Sequence, residues 1–504
     1  MDSPSPITRR AALRSAGALA AATAALDMVG SLAFLPERVL AATTPSDIQF
    51  DIEAFLTTQP QVADTGVRFR MPPVHTGFAT AKLLRTPGRA DQAELERVLR
   101  TLEQHYPWGA GSLVTFVSYG LPYFRRLPGG LTGHLVSGHM PRLLKDPGRY
   151  ALEEAVPGPS DVSASNPGVS KLRYNVPVVI ENNDVLFTLR SDRAGHVADV
   201  LAWFGGSNQL RGQTVRSPAW RRLLRFTSSR YMFVQMGLPR AVAEQNKLPF
   251  RHFIQPQSPM WMGFADQQTN ASGPAPICTF AGAPAARFTT AAPGDYFDNG
   301  AIQHLSHVLL DLLQFFDMET PSSEPGGDGV FSERVQYMFH APGINPGYAD
   351  QYIDGGGPSF LPNQNLGPGY AEQTAQGIGT DIDQATGLGE RRLGHLSALQ
   401  RSSRAADGTP VHIRMDGPGF DRMDVPGGGR LPKLQFTIFV PSADFFATLR
   451  QNQAAADLAT RYQVPQTSNG LERFITATRR QNYLVPPRRH RAFPLIELPA
   501  RHPA

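Results

Sequence analysis

The chain has 504 residues, 41% of them hydrophobic and 18% charged, with a formal net charge of +5. That balance suits a soluble globular protein with a substantial core, and the scattered basic residues exclude a nucleic-acid-binding tail. A lone cysteine, Cys278, excludes an intramolecular disulfide, a cysteine-rich zinc site and an iron–sulfur cluster, and 47 Gly with 44 Pro require many loops.

The N-terminus carries paired Arg9 and Arg10, an Ala-rich apolar run from Ser15 to Leu26, and small residues at Ala41 and Ala42. This is the order of a secretory signal, and the twin arginine points to the Tat route. Residues 1–42 are therefore expected to be a signal peptide missing from the mature protein, which would work in the periplasm, at the cell surface or outside the cell. Asp27 interrupts the apolar run, so no stable membrane span is expected.

Gly66 to Met71 alternates like a strand, and Asp91 to Tyr106 reads as an amphipathic helix with Asp91 as N-cap. Leu113 to Gly120 reads as a strand that Leu121 to Phe124 continues, and the segment from Val156 to Tyr174 reads as a loop. Asp184 to Asp192 is a further strand and His196 to Phe204 a further helix. The order strand, helix, strand, strand, helix is that of a ferredoxin-like α+β unit. In the second half Tyr231 to Gly237 reads as a strand. Gly300 to Phe316 reads as a helix, with Ile302, Leu305, Leu309, Leu312 and Phe316 on its apolar face. Met318 to Arg391 is Gly-rich without periodicity and reads as an insertion. Leu431 to Val440 is a β-prone strand, Ala443 to Asp457 a helix, and Arg488 to Ala504 a basic, Pro-rich tail.

The stretch from Met260 to Asn270 would in isolation be a surface turn. Within it, Gly263-Phe-Ala-Asp266 resembles the Gly-x-x-Asp-Gly signature of dye-decolorizing (DyP-type) haem peroxidases. Gln267 stands in place of the second glycine; Asn270 is in register and Thr269 falls one position late. Tyr119 to Phe124 is similar to a turn of that family, and Leu434 to Val440 followed by Asp444-Phe-Phe446 is similar to its last strand and helix. His395 lies nineteen residues before Arg414 and ahead of that strand, an order and spacing that also fit.

The resemblance covers roughly residues 64–485, mostly by order of elements. It implies an α+β fold of duplicated ferredoxin-like units, with antiparallel sheets and helices on one face. An N-terminal unit would span 43–215, and a haem-binding C-terminal unit 216–504, with the insertion near 319–390. One haem b per chain is implied. His395 would be the axial iron ligand, Asp266 the group that moves a proton between the peroxide oxygens, and Arg414 the fixed positive charge. Gly263, Phe264 and Arg414 would line the cofactor. The implied activity is reduction of hydrogen peroxide with oxidation of phenolic, dye-like or other small organic donors. The residues leave alternatives open: His412, in the letters His-Ile-Arg, as ligand with Arg430 as distal arginine; or His304 and His307, three apart on one face of the expected helix, as ligands or a metal pair. A non-catalytic exported haem-binding or structural protein on the same fold is the other class of reading. The oligomeric state is left open.

Overall fold

The long strands combine β-branched, aromatic and aliphatic residues with buried polar ones. The computed structural model describes residues 9–33, 45–51, 62–64, 67–69, 72–153, 173–174, 176–254, 258–262, 275–282, 289–316, 412–443, 445–446, 449 and 474–499. The insertion near 319–390 lies outside these residues.

The chain begins with α1 (Arg9–Gly30) and a hairpin of β1 (Val62–Asp64) and β2 (Val67–Phe69). Then come β3 (His75–Leu83), α2 (Arg89–His105), β4 (Val114–Gly120), α3 (Leu121–Arg126), β5 (Val179–Ile180), β6 (Val185–Ser191) and α4 (Ala194–Gly205). A hairpin of β7 (Gln209–Leu210) and β8 (Gln213–Thr214) leads to β9 (Leu224–Phe233) and α5 (Leu238–Gln245). The second half holds β10 (Ala301–Leu310), α6 (Leu312–Phe315), β11 (Ile413–Arg414), β12 (Gly417–Asp421), β13 (Leu431–Val440) and β14 (Ile475–Val485).

One sheet runs through both halves in the order β11–β13–β10–β14–β4–β6–β3–β9, with β12 also on β13 and β5 on β14. In the first half the chain order β3, β4, β6, β9 becomes the sheet order β4–β6–β3–β9, all antiparallel. In the second half β10, β11, β13, β14 becomes β11–β13–β10–β14, the same permutation. The expected α+β fold of duplicated ferredoxin-like units is therefore present, each unit defined by its own strand pairing. The first unit closes on β9, past the boundary expected at 215.

Several elements differ from expectation for identifiable reasons. The helix expected from Gly300 to Phe316 is the strand β10 followed by one short turn, because every residue from Ala301 to Leu310 is buried. A strand buried on both faces lacks the in–out alternation that would set it apart from a helix, and the apolar residues of this one happen to recur at helical spacing. Leu121 to Phe124 is helical, with Pro122 in the first turn, where a missing N–H costs nothing. The α2 N-cap is Gly88 rather than Asp91, whose carboxylate instead accepts the Gly88 N–H at 2.8 Å and pairs with Arg85 at 2.6 Å. The tail is a strap rather than a loose basic end. Arg491 is held between Glu96 and Glu103, while the Tyr119 hydroxyl donates to the Arg491 carbonyl at 2.6 Å and accepts the Phe493 N–H at 2.7 Å.

The core has two parts. Helices and sheet enclose the larger, which includes Leu95, Val98, Phe187, Val197 and Leu201. The smaller lies inside the curve of the sheet, where Phe78, Phe116, Met232, Leu305, Ile413, Phe439 and Tyr483 from both units meet. The two outer strands come side by side there: a Cβ at Gly419 on β12 would lie 3.0 Å from the Tyr231 carbonyl on β9, although no ladder joins them. On the helix side, α1 buries Leu19, Ala22, Leu26 and Val29, and the Ser229 hydroxyl of β9 donates to the Ala18 carbonyl at 2.5 Å. No described helix is long and apolar enough to cross a membrane.

His75 at the start of β3 lies against the Tyr231 hydroxyl, Nδ1 to Oη 2.5 Å, and burial pulls its pKa from 6.5 down to about 4. A depressed value means the unfolded chain takes up the proton first, so this contribution is complete above about pH 6.5 and is lost as pH falls toward 4. Replacing His75 with Gln should flatten the fall in Tm between about pH 7.5 and about pH 5. An unchanged slope in the variant would remove His75 from the acid response.

Candidate functional site

Side chains alternate across a strand, so pairing assigns each residue of the second unit to the interior or to the helix side. Ile413 pairs with Phe439 and belongs to the interior cluster; Arg414 pairs with Ile438 and faces the helix side. His304 pairs with both Ile438 and Asn482. The row Arg414, Ile438, His304, Asn482 thus crosses four strands on one face, with Phe436, Ser306 and Arg480 in the next row. Phe446, from the segment after β13, lies over this face and stacks on the His304 ring at 4.0 Å. His412, just ahead of β11, is buried beside Phe445.

Hydrogen bonds occupy both ring nitrogens of His304. Its Nδ1 lies 2.7 Å from the Asn482 Oδ1, an acceptor to which an Nδ1–H donates, and its Nε2 lies 2.7 Å from the Ser306 hydroxyl. Both ring nitrogens are committed, and His304 is a positioned polar group rather than an open ligand. His307 is on the same strand, not on a helix, and an odd spacing turns it to the opposite face. The expected His304–His307 pair on one face is therefore wrong, and no group of His, Cys, Asp or Glu among the described residues is arranged to hold a metal ion.

His307 faces the interior within a network of charged groups that had no signal in the sequence. Its Nδ1 lies 2.8 Å from the Thr478 hydroxyl and 3.4 Å from Asp424, and its Nε2 lies 3.6 Å from Asp421. Lys433 donates to Asp421 at 2.6 Å, and Arg479 pairs with Asp424 at 2.7 Å. Burial alone would raise the Asp421 carboxyl, yet contacts with His307 and Lys433 hold it far below the usual carboxylate range. Burial lowers the Lys433 ammonium.

Of the residues the resemblance nominated, Arg414 is placed: half-buried, on the helix-side face of β11. Gly263, Phe264, Asp266 and His395 lie outside the described residues. The lead into the first three is visible, however. Trp261 is buried, its indole N–H donates to the Gly419 carbonyl at 3.1 Å, and its ring meets Phe420 and Phe233 on the helix side. Trp261 therefore sits on the helix side of the same sheet edge that presents Arg414. This face offers two arginines among Ile302, Ile438, Phe436 and Phe446. Apolar walls with cations are the donor set that a planar, carboxylate-bearing macrocycle such as haem requires.

These features define an α+β protein of two fused ferredoxin-like units with a cationic and aromatic face on the second. The chain belongs to a family of unknown function, DUF7405, whose model matches residues 150–487. No curated protein matches it. Among solved structures it is similar to a putative DyP-type peroxidase from Shewanella oneidensis, at 11% identity over 85% of this chain and 96% of that one, TM-score 0.41. It is also similar to the encapsulated DyP-type peroxidase of Mycobacterium smegmatis, at 12% identity over 85% and 96%, TM-score 0.43. A variant of Rhodococcus jostii RHA1 DypB in complex with heme matches at 11% identity over 83% and 95%, TM-score 0.42. The duplicated topology described above rests on this chain's own strand pairing.

Substituting Asn482 with Leu should destabilise the protein by about 1–3 kcal/mol, because the buried His304 Nδ1–H loses its acceptor. Asp at the same position keeps an acceptor and should recover part of that loss. Denaturant unfolding of the two variants checks the assignment; equal stabilities would refute it.

Proposed function

We propose that the protein is an exported haem-dependent peroxidase that reduces hydrogen peroxide and oxidises a small organic donor. One observation carries the reading: Arg414 and the Trp261 anchor of the segment leading to Asp266 lie on the same face at the same edge of the second unit. The resemblance of Gly263 to Asp266, and the His395 to Arg414 spacing, support it from the sequence. His395 would ligate the iron, and Gly263, Phe264 and Arg414 would line the cofactor. Haem, when bound, supplies the redox chemistry. Asp266 would take a proton from one peroxide oxygen and return it to the other. Arg414, fixed on a strand, would hold positive charge where negative charge develops. His304, held by Asn482 and Ser306, would keep that face ordered without contributing a ligand.

Haem is tested by the absorption spectrum of the purified, haem-reconstituted protein: a Soret band that His395→Ala weakens or shifts supports the assignment. No Soret band in the parent protein would end the haem reading. Given haem, Arg414→Leu should slow peroxide-dependent dye oxidation by about 10²-fold while leaving the Soret band in place. Gln267, where the family pattern has glycine, favours one second reading, a haem-binding protein without peroxidase turnover. Haem loading without any peroxide-dependent oxidation would select it.

Export is proposed on the twin-arginine segment. Replacing Arg9 and Arg10 with Lys should hold the protein in the cytoplasm, and the exported form should start near residue 43. N-terminal sequencing that finds Met1 on exported protein would contradict cleavage.

A further inference from the structure

We propose that the polar half of the sheet interior binds a small oxyanion between Arg230 of the first unit and Gln435 of the second. Both side chains are buried and face inward. Arg230 pairs with Phe78 and lies two residues from Met232, both in the interior cluster; Gln435 lies four residues from Phe439, also in it. Among the described residues, neither side-chain polar atom of the Gln435 amide has a hydrogen-bond partner, and neither do Nε and Nη1 of Arg230. Bare buried amide and guanidinium groups are rare in folded proteins, and where they occur they face water or a ligand.

The surrounding charges decide which ligand. Asp421 is committed to Lys433, Asp424 to Arg479 and Glu181 to Arg230. Unused among the described interior groups are two guanidinium N–H positions, an amide NH₂, one amide oxygen and the Nε2 of His307. Buried guanidinium and amide donors without partners favour oxyanions. Arg230 and Lys433 also repel one another, a repulsion that an anion between them relieves. Gly419 lets the strands approach here, and a Cβ there would lie 3.4 Å from the Gln435 Nε2 and 3.0 Å from the Tyr231 carbonyl. Asp421, Asp424 and Arg479 are partly exposed at this end, which gives solvent a way in. The site lies on the opposite side of the sheet from Arg414 and does not depend on haem.

Inorganic phosphate is the probe. In phosphate-free buffer the Tm of the full chain should rise saturably by several degrees on adding phosphate, and not on adding chloride at equal ionic strength. Gln435→Leu should have a Tm at or above that of the parent without phosphate, since an unbonded amide contributes nothing to the fold, and should lose the phosphate-dependent rise. Gln435→Glu, whose own carboxylate takes the Arg230 donors, should lose it too and serves where the Leu variant does not fold. No saturable rise in the parent means that the interior holds water alone and overturns the proposal. A full rise retained in either variant places the anion elsewhere and overturns it as well.

Discussion

Two short ladders hold the two units in one sheet. Tyr483 and Leu484 at the end of β14 pair with Gly120 and Tyr119 at the end of β4, and Arg479 and Arg480 of the same strand pair with Val179 and Ile180 of β5. So short a seam is stabilised from the sides. The Gln481 amide donates to the Asn183 carbonyl at 2.7 Å, and its oxygen accepts the Asn183 N–H at 2.9 Å and the Tyr483 hydroxyl at 2.9 Å. The backbones approach so closely that a Cβ at Gly120 would lie 2.2 Å from the Asn183 carbonyl and 2.4 Å from the Gln481 amide nitrogen. Only glycine fits there. Because the seam brings the units' inner faces together, it creates both the interior and the separate helix-side face that carries Arg414.

Much of this architecture was legible in the sequence where one physical signal dominated. Leu431 to Val440 was read as a strand with its observed limits, because β-prone residues crowd that stretch without a competing helical pattern. The helix spanning Leu95, Val98, Leu99 and Leu102 was legible from spacing alone. Strands β3 and β14 were not. His75 to Leu83 mixes Thr, Gly and Ala with few large apolar residues, and Ile475 to Val485 carries Arg, Gln and Asn. Their polar residues serve an interior and a helix-side network that exist only once strands distant in sequence have paired. The Ala-rich segment that reads as an export signal also forms α1, packed on β9 and α4. Its removal would uncover Ser229, which now bonds to Ala18.

Of the residues nominated for the site, Arg414 lies on the helix side of a strand next to β13, while Asp266 and His395 lie outside the described residues. The two histidines of β10 were nominated as a pair because three residues in a helix return to the same face. In the strand they diverge, and the helix–strand ambiguity became an error about chemistry rather than only about shape. Nothing local in the sequence marks Asp421, Asp424, Lys433 and Arg479 as one cluster, since the pairing of β12 and β14 around β13 and β10 brings them together.

Strand β10 divides the chemistry of the second unit. On the helix side the His304 ring is held by Asn482 at Nδ1 and by Ser306 at Nε2. On the interior side His307 stands among two carboxylates, with Lys433 and Arg479 as their counter-charges. A buried charge network of this kind is costly to assemble and costlier still to break on one side. That cost ties β10, β12, β13 and β14 into a single register, since a slip of one residue would turn His307 toward the aromatic layer and His304 toward the carboxylates. The interior network thus fixes which side of the sheet Arg414 presents. Any chemistry on the helix-side face depends on charges buried on the opposite one.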